Sequence, residues 1–164
     1  ANKLEQKYTP NSDKDKTYHY LPYKTDSEFE IEFLNQILES KPFKNSDLEI
    51  LYNGDEILTE FTIKTYKNNE FGWQYIGNYT PDFLILKRKS NKIYQVLVVE
   101  TKGEGFAKNF VDKKNFMEKF FVPKNNEKFG YGRFEFLYLQ DNLTRPERID
   151  ITINKIEDFF KENA

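Results

Sequence analysis

The chain has 164 residues, of which 38% are hydrophobic, and its 25 basic and 27 acidic side chains give a formal net charge of −2. This length suits one folded domain, and we expect residues 1–20 to form a flexible lead-in or linker and residues 21–164 to form the domain. Cysteine is absent and His19 is the only histidine, which excludes disulfides, thiolate chemistry and multi-histidine metal sites.

The first predicted element is a helix over residues 26–40. Asp26 or Ser27 can cap its amino end, and Lys41-Pro42 ends it. Its apolar stripe follows helical spacing and consists of Phe33, Leu34, Ile37 and Leu38. Glu30 falls on that stripe, and an acid on a buried helix face is costly unless it is paired or bound to a metal. The helix periodicity alone therefore singles out Glu30 as a candidate site residue.

The middle of the chain is rich in predicted strands. Alternating or continuous apolar runs predict strands over residues 48–52, 57–66, 73–76, 83–87 and 93–99. Polar residues predict turns or loops at 53–55, 68–69 and 88–92. The run Val96 to Val99 is apolar on both faces, which predicts a central strand covered above and below.

The last third of the chain mixes helices with one strand. A second helix is predicted over 107–121, with aromatic residues and Met117 on one side, lysines opposite, and Pro123 stopping it. A strand over 134–139 and an amphipathic helix over 151–163 follow. The order of elements predicts an α/β fold with a central mixed β-sheet flanked by helices.

Two carboxylates are predicted to meet in the sheet. Asp82 opens one strand and Glu100 closes the next, so pairing of the two strands would place them side by side. Two carboxylates in one pocket repel each other unless a cation lies between them, and oxygen ligands suit magnesium or manganese better than zinc. Lys102 is predicted to project with Glu100, while Thr101 points away.

Lys102 indicates a reaction type. A divalent ion activates water and polarises a phosphoryl oxygen, and a lysine nearby can orient that water and stabilise charge on the phosphate. Gly103 and Gly105 would let the backbone pass close to a bulky substrate. Phosphodiester hydrolysis by water is the predicted reaction. Each part has a simpler interpretation, since Pro-Asp is often a capped turn and Glu-x-Lys a solvated ion pair, but their combination is far more specific.

This combination resembles the PD-(D/E)XK nuclease superfamily, and within it the carboxy-terminal endonuclease domain of the restriction subunit of type III restriction-modification enzymes. The resembling stretches are residues 26–34, 76–83 and 98–103, the last two containing Pro81-Asp82 and Val-Glu-Thr-Lys-Gly. The resemblance extends from about residue 23 to residue 140. It implies a restriction-endonuclease-like fold.

The resemblance also implies roles for individual residues. The implied catalytic residues are Glu30, Asp82, Glu100 and Lys102, and the implied metal-binding set is Asp82, Glu100, Thr101 and Glu30. The implied cofactor is Mg²⁺, with Mn²⁺ as a substitute, and the implied substrate is double-stranded DNA. Implied partners are a helicase/translocase region, a modification (methyltransferase) subunit, and a second copy met transiently for double-strand cleavage.

The charge balance bears on how such a domain would hold DNA. An autonomous DNA-binding protein usually has a basic excess, so a net charge of −2 fits a cutting module that a larger protein delivers to DNA. Lysines of the second helix could contact DNA, although a solvated polar face explains them more simply: Lys108, Lys113 and Lys114. No apolar run has the length of a membrane span and no signal peptide opens the chain, so we expect a soluble, cytoplasmic protein.

Two other functions fit the same residues. One is a repair or resolvase-type nuclease of the same superfamily that works alone. The other is a catalytically silent module that keeps the fold and binds DNA or protein. The presence of Asp82, Glu100 and Lys102 together favours an enzyme over the silent module.

Overall fold

The fold is that of a computed structural model, which describes residues 2–3, 24–25, 28–44, 47–52, 61–101, 107–140 and 142–161. The helices are α1 (Glu28–Glu39), α2 (Lys41–Lys44), α3 (Ala107–Phe116), α4 (Val122–Phe129) and α5 (Arg145–Phe159), with a π-helical turn (Met117–Phe121) between α3 and α4. The strands are β1 (Asn2–Lys3), β2 (Lys24–Thr25), β3 (Glu49–Tyr52), β4 (Ile63–Asn69), β5 (Gly72–Tyr79), β6 (Phe83–Lys89), β7 (Lys92–Glu100) and β8 (Phe134–Tyr138).

A four-stranded mixed sheet forms the middle layer, with strand order β3-β6-β7-β8. β6 is antiparallel to both β3 and β7, whereas β8 is parallel to β7. Strand β7 is thus internal, and Val96 to Val99 are at most 6% exposed. The predicted central strand is confirmed, as is a mixed α/β architecture with a helix-flanked sheet.

Helices cover the sheet on both faces. Side chains of α1, α2 and α5 form one core with the sheet around Phe33, Phe43 and Ile156. On the other face, the π turn and its flanking helices form a second core around Met117, which is fully buried. The sheet therefore separates two apolar cores. Polar side chains can come together at the ends of its strands, outside these cores.

Helix α1 agrees with the prediction for residues 26–40. It spans Glu28–Glu39, and Phe33, Ile37 and Leu38 are no more than 1% exposed. The helix ends where the Ser40 hydroxyl donates to the Ile37 carbonyl at 2.7 Å. The proposed caps at residues 26 and 27 lie outside the described residues.

Strands β4 and β5 form a separate two-stranded ribbon. The sequence had predicted a loop at residues 68–69, between these two strands. That prediction is wrong, because both asparagines belong to β4 and the turn comes one residue later. The reason lies in Asn69, whose Oδ1 accepts from the Phe71 amide at 2.9 Å and whose Nδ2 donates to Gln74 at 3.1 Å. An asparagine that closes a turn with its side chain can sit at a strand end as readily as in a loop.

The β6–β7 hairpin is longer than predicted. The expected connection over 88–92 is reduced to Ser90 and Asn91, which both have positive φ, at 52° and 64°. Two successive residues in this conformation make the tight two-residue turn that matches strand twist. Arg88 instead lies in β6, with its Nε 3.2 Å from both carboxylate oxygens of Glu49 on β3.

The second helix does not stop at Pro123, as the sequence had predicted. The π turn intervenes, with the Val122 amide donating to the Met117 carbonyl five residues back. Pro123 then occupies the first turn of α4, where its missing N–H leaves no bond unmade. The helical path continues to Phe129 and ends at Gly130, which has φ +78°.

The carboxy-terminal helix was predicted over 151–163 but spans Arg145–Phe159. Thr144 caps it: its hydroxyl accepts from the Glu147 amide, while the Glu147 carboxylate accepts from the Thr144 amide, both at 3.2 Å. This capping box is written in the sequence as Thr-Arg-Pro-Glu. Apolar periodicity alone had missed it because the first turn is polar.

Some predictions fall on residues that are not described, namely the turn at 53–55, the strand segment 57–60 and most of the lead-in, including His19. Within the lead-in, Asn2 and Lys3 pair antiparallel with Thr25 and Lys24.

Across the described helices, none combines the length and the apolar character needed to span a membrane.

Candidate functional site

The candidate site is built on the ends of strands β6 and β7. The register pairs Phe83 with Val99, so the next residues outward, Asp82 and Glu100, lie across from each other. Asp82 is 0% exposed and Glu100 is 2% exposed. The sequence predicted this juxtaposition, and the strand register places the two residues side by side.

Thr101 holds Asp82 in place. The backbone amide of Thr101 donates to Asp82 Oδ2 at 3.0 Å, and the Thr101 hydroxyl donates to the same oxygen at 2.8 Å. The expectation that Thr101 points away from the acids is therefore wrong with respect to Asp82. Strand alternation does not apply there because Asp82 lies in a bend before β6 and Thr101 lies just past the end of β7.

Arg148 on α5 is a buried residue that sequence reasoning did not identify. It is 7% exposed, and its Nη1 donates to the Thr101 carbonyl at 3.5 Å, a long hydrogen bond. Its Nε donates to the Leu143 carbonyl at 3.4 Å. Arg148 thus ties α5 to the strand end that follows Glu100. Thr101 was expected in the metal-binding set, and its carbonyl already accepts one hydrogen bond.

Tyr79 is the second residue that sequence reasoning missed as a site residue. It ends β5, is 3% exposed, and packs its ring against Phe110 and Phe136. Its phenolic pKa lies well above the usual value, first because of burial, then because of the charge of Glu100 and a polar contact with it, and last because of the charge of Asp82. Among described residues the hydroxyl nevertheless has no partner at standard hydrogen-bond distance and angle, so its interaction with Glu100 is mainly electrostatic.

Two predicted site residues cannot be placed from side-chain geometry. Lys102 lies outside the described residues, as do Gly103 and Gly105. Glu30 lies in the first turn of α1, three residues before Phe33, whose ring centroid is 5.3 Å from that of Phe83. The side chain of Glu30 is not described, so its role and that of Lys102 stay predictions.

The lysines suggested for DNA contact have partners within the fold where their side chains are described. Lys113 Nζ donates to the Asn78 carbonyl at 2.9 Å. Lys114 Nζ lies 3.6 Å from Glu118 and 5.6 Å from the ring centroid of Tyr138. These contacts favour the polar helix face as the explanation for both, while the side chain of Lys108 is not described.

The described part of the chain contains no group of three or more His, Cys, Asp or Glu residues able to hold a metal ion. Asp82 and Glu100 supply two carboxylates, and Thr101 can supply a carbonyl oxygen. An oxygen-only set of this kind suits a hard divalent cation. Further oxygen ligands would have to come from undescribed residues, from water or from a substrate.

No protein-family model matches the chain, and no curated protein or solved structure matches it significantly.

Proposed function

We propose that this chain is a divalent-metal-dependent endonuclease domain that hydrolyses phosphodiester bonds of double-stranded DNA. The proposal rests on one observation above all, the buried pair of Asp82 and Glu100 at adjacent strand ends. Two carboxylates brought together out of water repel each other, and a bound cation is the common way to make such an arrangement favourable. A pair needed only for stability would gain more from apolar side chains at these positions.

The chemistry of the site fits a Mg²⁺ or Mn²⁺ ion. The ligand atoms that the described residues offer are oxygens, and among those residues the buried Tyr79 hydroxyl, which has no partner of standard geometry, lies within the field of both carboxylates. Mg²⁺ keeps water and substrate oxygens in its coordination shell, so two protein carboxylates are enough to hold it. When bound, such an ion lowers the pKa of water and polarises a phosphoryl oxygen.

The chain's own residues would divide the remaining work. Thr101 fixes the rotation of the Asp82 carboxylate through two hydrogen bonds to one oxygen. Glu100 would share the cation with Asp82. Its position at the end of β7 is fixed beside β8, because its backbone carbonyl accepts from the Leu139 amide at 2.9 Å. Lys102, which follows Thr101 directly, would orient the attacking water and stabilise charge on the phosphate.

The larger setting follows from the resemblance to type III restriction subunits and to the restriction-endonuclease-like fold. The helix-flanked mixed sheet agrees with that fold at the level of architecture. In this setting a helicase/translocase region and a modification subunit would bring the domain to DNA, and two copies would cut the two strands. The net charge of −2 supports such dependence, since the domain itself carries no basic excess.

The test combines a binding measurement with a cleavage measurement on the 164-residue chain. Mg²⁺ or Mn²⁺ should raise the melting temperature, because a ligand that binds only the folded state stabilises it, and should support nicking of supercoiled plasmid. Asp82→Asn and Glu100→Gln keep the shape of each side chain and remove its charge. Both variants should fold, should lose most of the metal-induced shift, and should cut at least about a hundredfold more slowly.

Asp158→Asn is the matched control, because this substitution removes the same charge from an exposed carboxylate on α5. It should behave like the unmodified chain in both measurements. A chain that shows neither a metal-dependent shift nor nicking would overturn the proposal. So would unchanged cleavage in Asp82→Asn or Glu100→Gln.

A further inference from the structure

Tyr79 places a hydroxyl donor in the interior of the fold. The side chain is 3% exposed, yet among described residues its oxygen finds no hydrogen-bond partner of standard geometry. Leaving a buried hydroxyl unsatisfied is unfavourable, and native structures rarely do so without a reason. A phenylalanine would fill the same space between Phe110 and Phe136 without this cost.

The position of Tyr79 connects its hydroxyl to the carboxylate pair. Tyr79 is the last residue of β5, three residues before Asp82, and the ribbon register pairs it with Ile63. Its ring centroid lies 6.1 Å from that of Phe136, and Phe136 pairs with Val98, two residues before Glu100 on β7. The ring is buried in this core, away from solvent.

We propose that Tyr79 is a further residue of the site, whose hydroxyl donates a hydrogen bond to a water or phosphate oxygen held beside Asp82 and Glu100. This inference rests on the proposed function, because it gives the hydroxyl a partner that only an occupied site supplies. A tyrosine hydroxyl is protonated at neutral pH, so Tyr79 acts as a donor and not as a base.

A donor of this kind helps where negative charge gathers. A phosphodiester under attack develops charge on its non-bridging oxygens, and a preorganised donor in a water-poor site stabilises that charge. Both carboxylates are acceptors and repel such an oxygen, so a neutral donor on the same side offsets part of that repulsion. The hydroxyl would thereby orient the phosphate relative to Asp82 and Glu100.

Tyr79→Phe separates this role from a structural one. In the metal-free chain the variant should melt at the same temperature or a few degrees higher, because an unsatisfied buried hydroxyl is removed. Plasmid nicking with Mg²⁺ should nevertheless fall on the order of a hundredfold, as for loss of one preorganised donor. A melting temperature that is unchanged or higher, together with slower nicking, is the signature of the proposal.

Tyr131→Phe is the matched control. The Tyr131 hydroxyl donates to the Tyr94 carbonyl at 2.6 Å, so its loss should lower the melting temperature and leave nicking unchanged. If Tyr79→Phe also lowers the melting temperature of the metal-free chain, the hydroxyl has a partner within the fold and the inference fails.

Asp82→Asn, assayed alongside, distinguishes failure of the inference from failure of the proposed function. Full nicking by Tyr79→Phe, with none by Asp82→Asn, would overturn the role of Tyr79 alone. Full nicking by both variants would overturn the nuclease assignment itself.

Discussion

At the scale of single residues, Thr101 does two things for the candidate site. Its amide and its hydroxyl both donate to Asp82 Oδ2, and its carbonyl accepts from Arg148. The residue is 6% exposed, so these bonds form in a medium poor in water, where they orient groups strongly. The carboxylate of Asp82 is therefore held in one rotation before any ligand arrives.

Thr101→Val tests this arrangement, because valine keeps the shape and the backbone amide but lacks the hydroxyl. Loss of a hydrogen bond to a carboxylate should lower the free energy of unfolding by about 1.5–3 kcal/mol. A less firmly held Asp82 should also raise the Mg²⁺ concentration needed for a half-maximal shift in melting temperature. Urea titration and thermal melts at graded Mg²⁺ measure the two effects.

Thr101→Ser is the control for this prediction, since serine retains the hydroxyl and should stay close to the unmodified chain in Mg²⁺ dependence. Equal Mg²⁺ dependence in the valine variant would show that the backbone amide alone fixes Asp82.

The sequence predicted the pair of acids but not what surrounds it. Asp82 and Glu100 could be matched because strand alternation and a hairpin are local rules. The hydrogen bonds of Thr101 depend on a bend at Asp82, and Arg148 arrives from a helix 47 residues further along the chain. Tyr79 carried one usable signal, its place three residues before Asp82 at the end of a strand. Nothing local says that its hydroxyl is buried without a partner of standard geometry among the described residues.

At the scale of elements, α5 depends on its amino end. The capping box of Thr144 and Glu147 satisfies two amides of the first turn, and Arg148 is the next residue. Thr144→Ala should lower the free energy of unfolding by about 1 kcal/mol, whereas Thr144→Ser should change it little. Urea unfolding followed by circular dichroism measures both. Equal stability of the alanine variant would mean that α5 is held by its apolar face alone.

Elements predicted from the sequence were those whose rules are local. Helix α1 and strand β7 carry their periodicity in consecutive residues. The predicted bounds of both elements lie within about two residues of those in the structure. No local signal predicts the π turn, because Pro123 normally stops a helix, whereas here it lies in the first turn of α4. Nor does any local signal specify that β8 pairs parallel to β7.

At the scale of the whole molecule, the distribution of charge sets what the chain can do with DNA. Basic and acidic side chains nearly cancel, and several lysines with described side chains are engaged internally. Lys67 lies 3.4 Å from Asp112, Lys113 donates to the ribbon, and Lys155 lies 3.9 Å from Glu135. Without a basic excess on the chain, a firm hold on the duplex would depend on another part of a complex.

This charge distribution leads to a prediction about salt. Six phosphate contacts would give a slope of about −5 in a plot of log affinity against log salt concentration. The chain should bind a short DNA duplex weakly and with a shallower slope, since its basic and acidic side chains nearly cancel. Fluorescence anisotropy with the Asp82→Asn variant, across a range of NaCl and with Ca²⁺ present, measures binding without cleavage. A slope as steep as −5 would show that the domain holds DNA by itself, because neutralising that many phosphates requires a basic surface on the chain. The predicted dependence on a delivering partner would then be wrong.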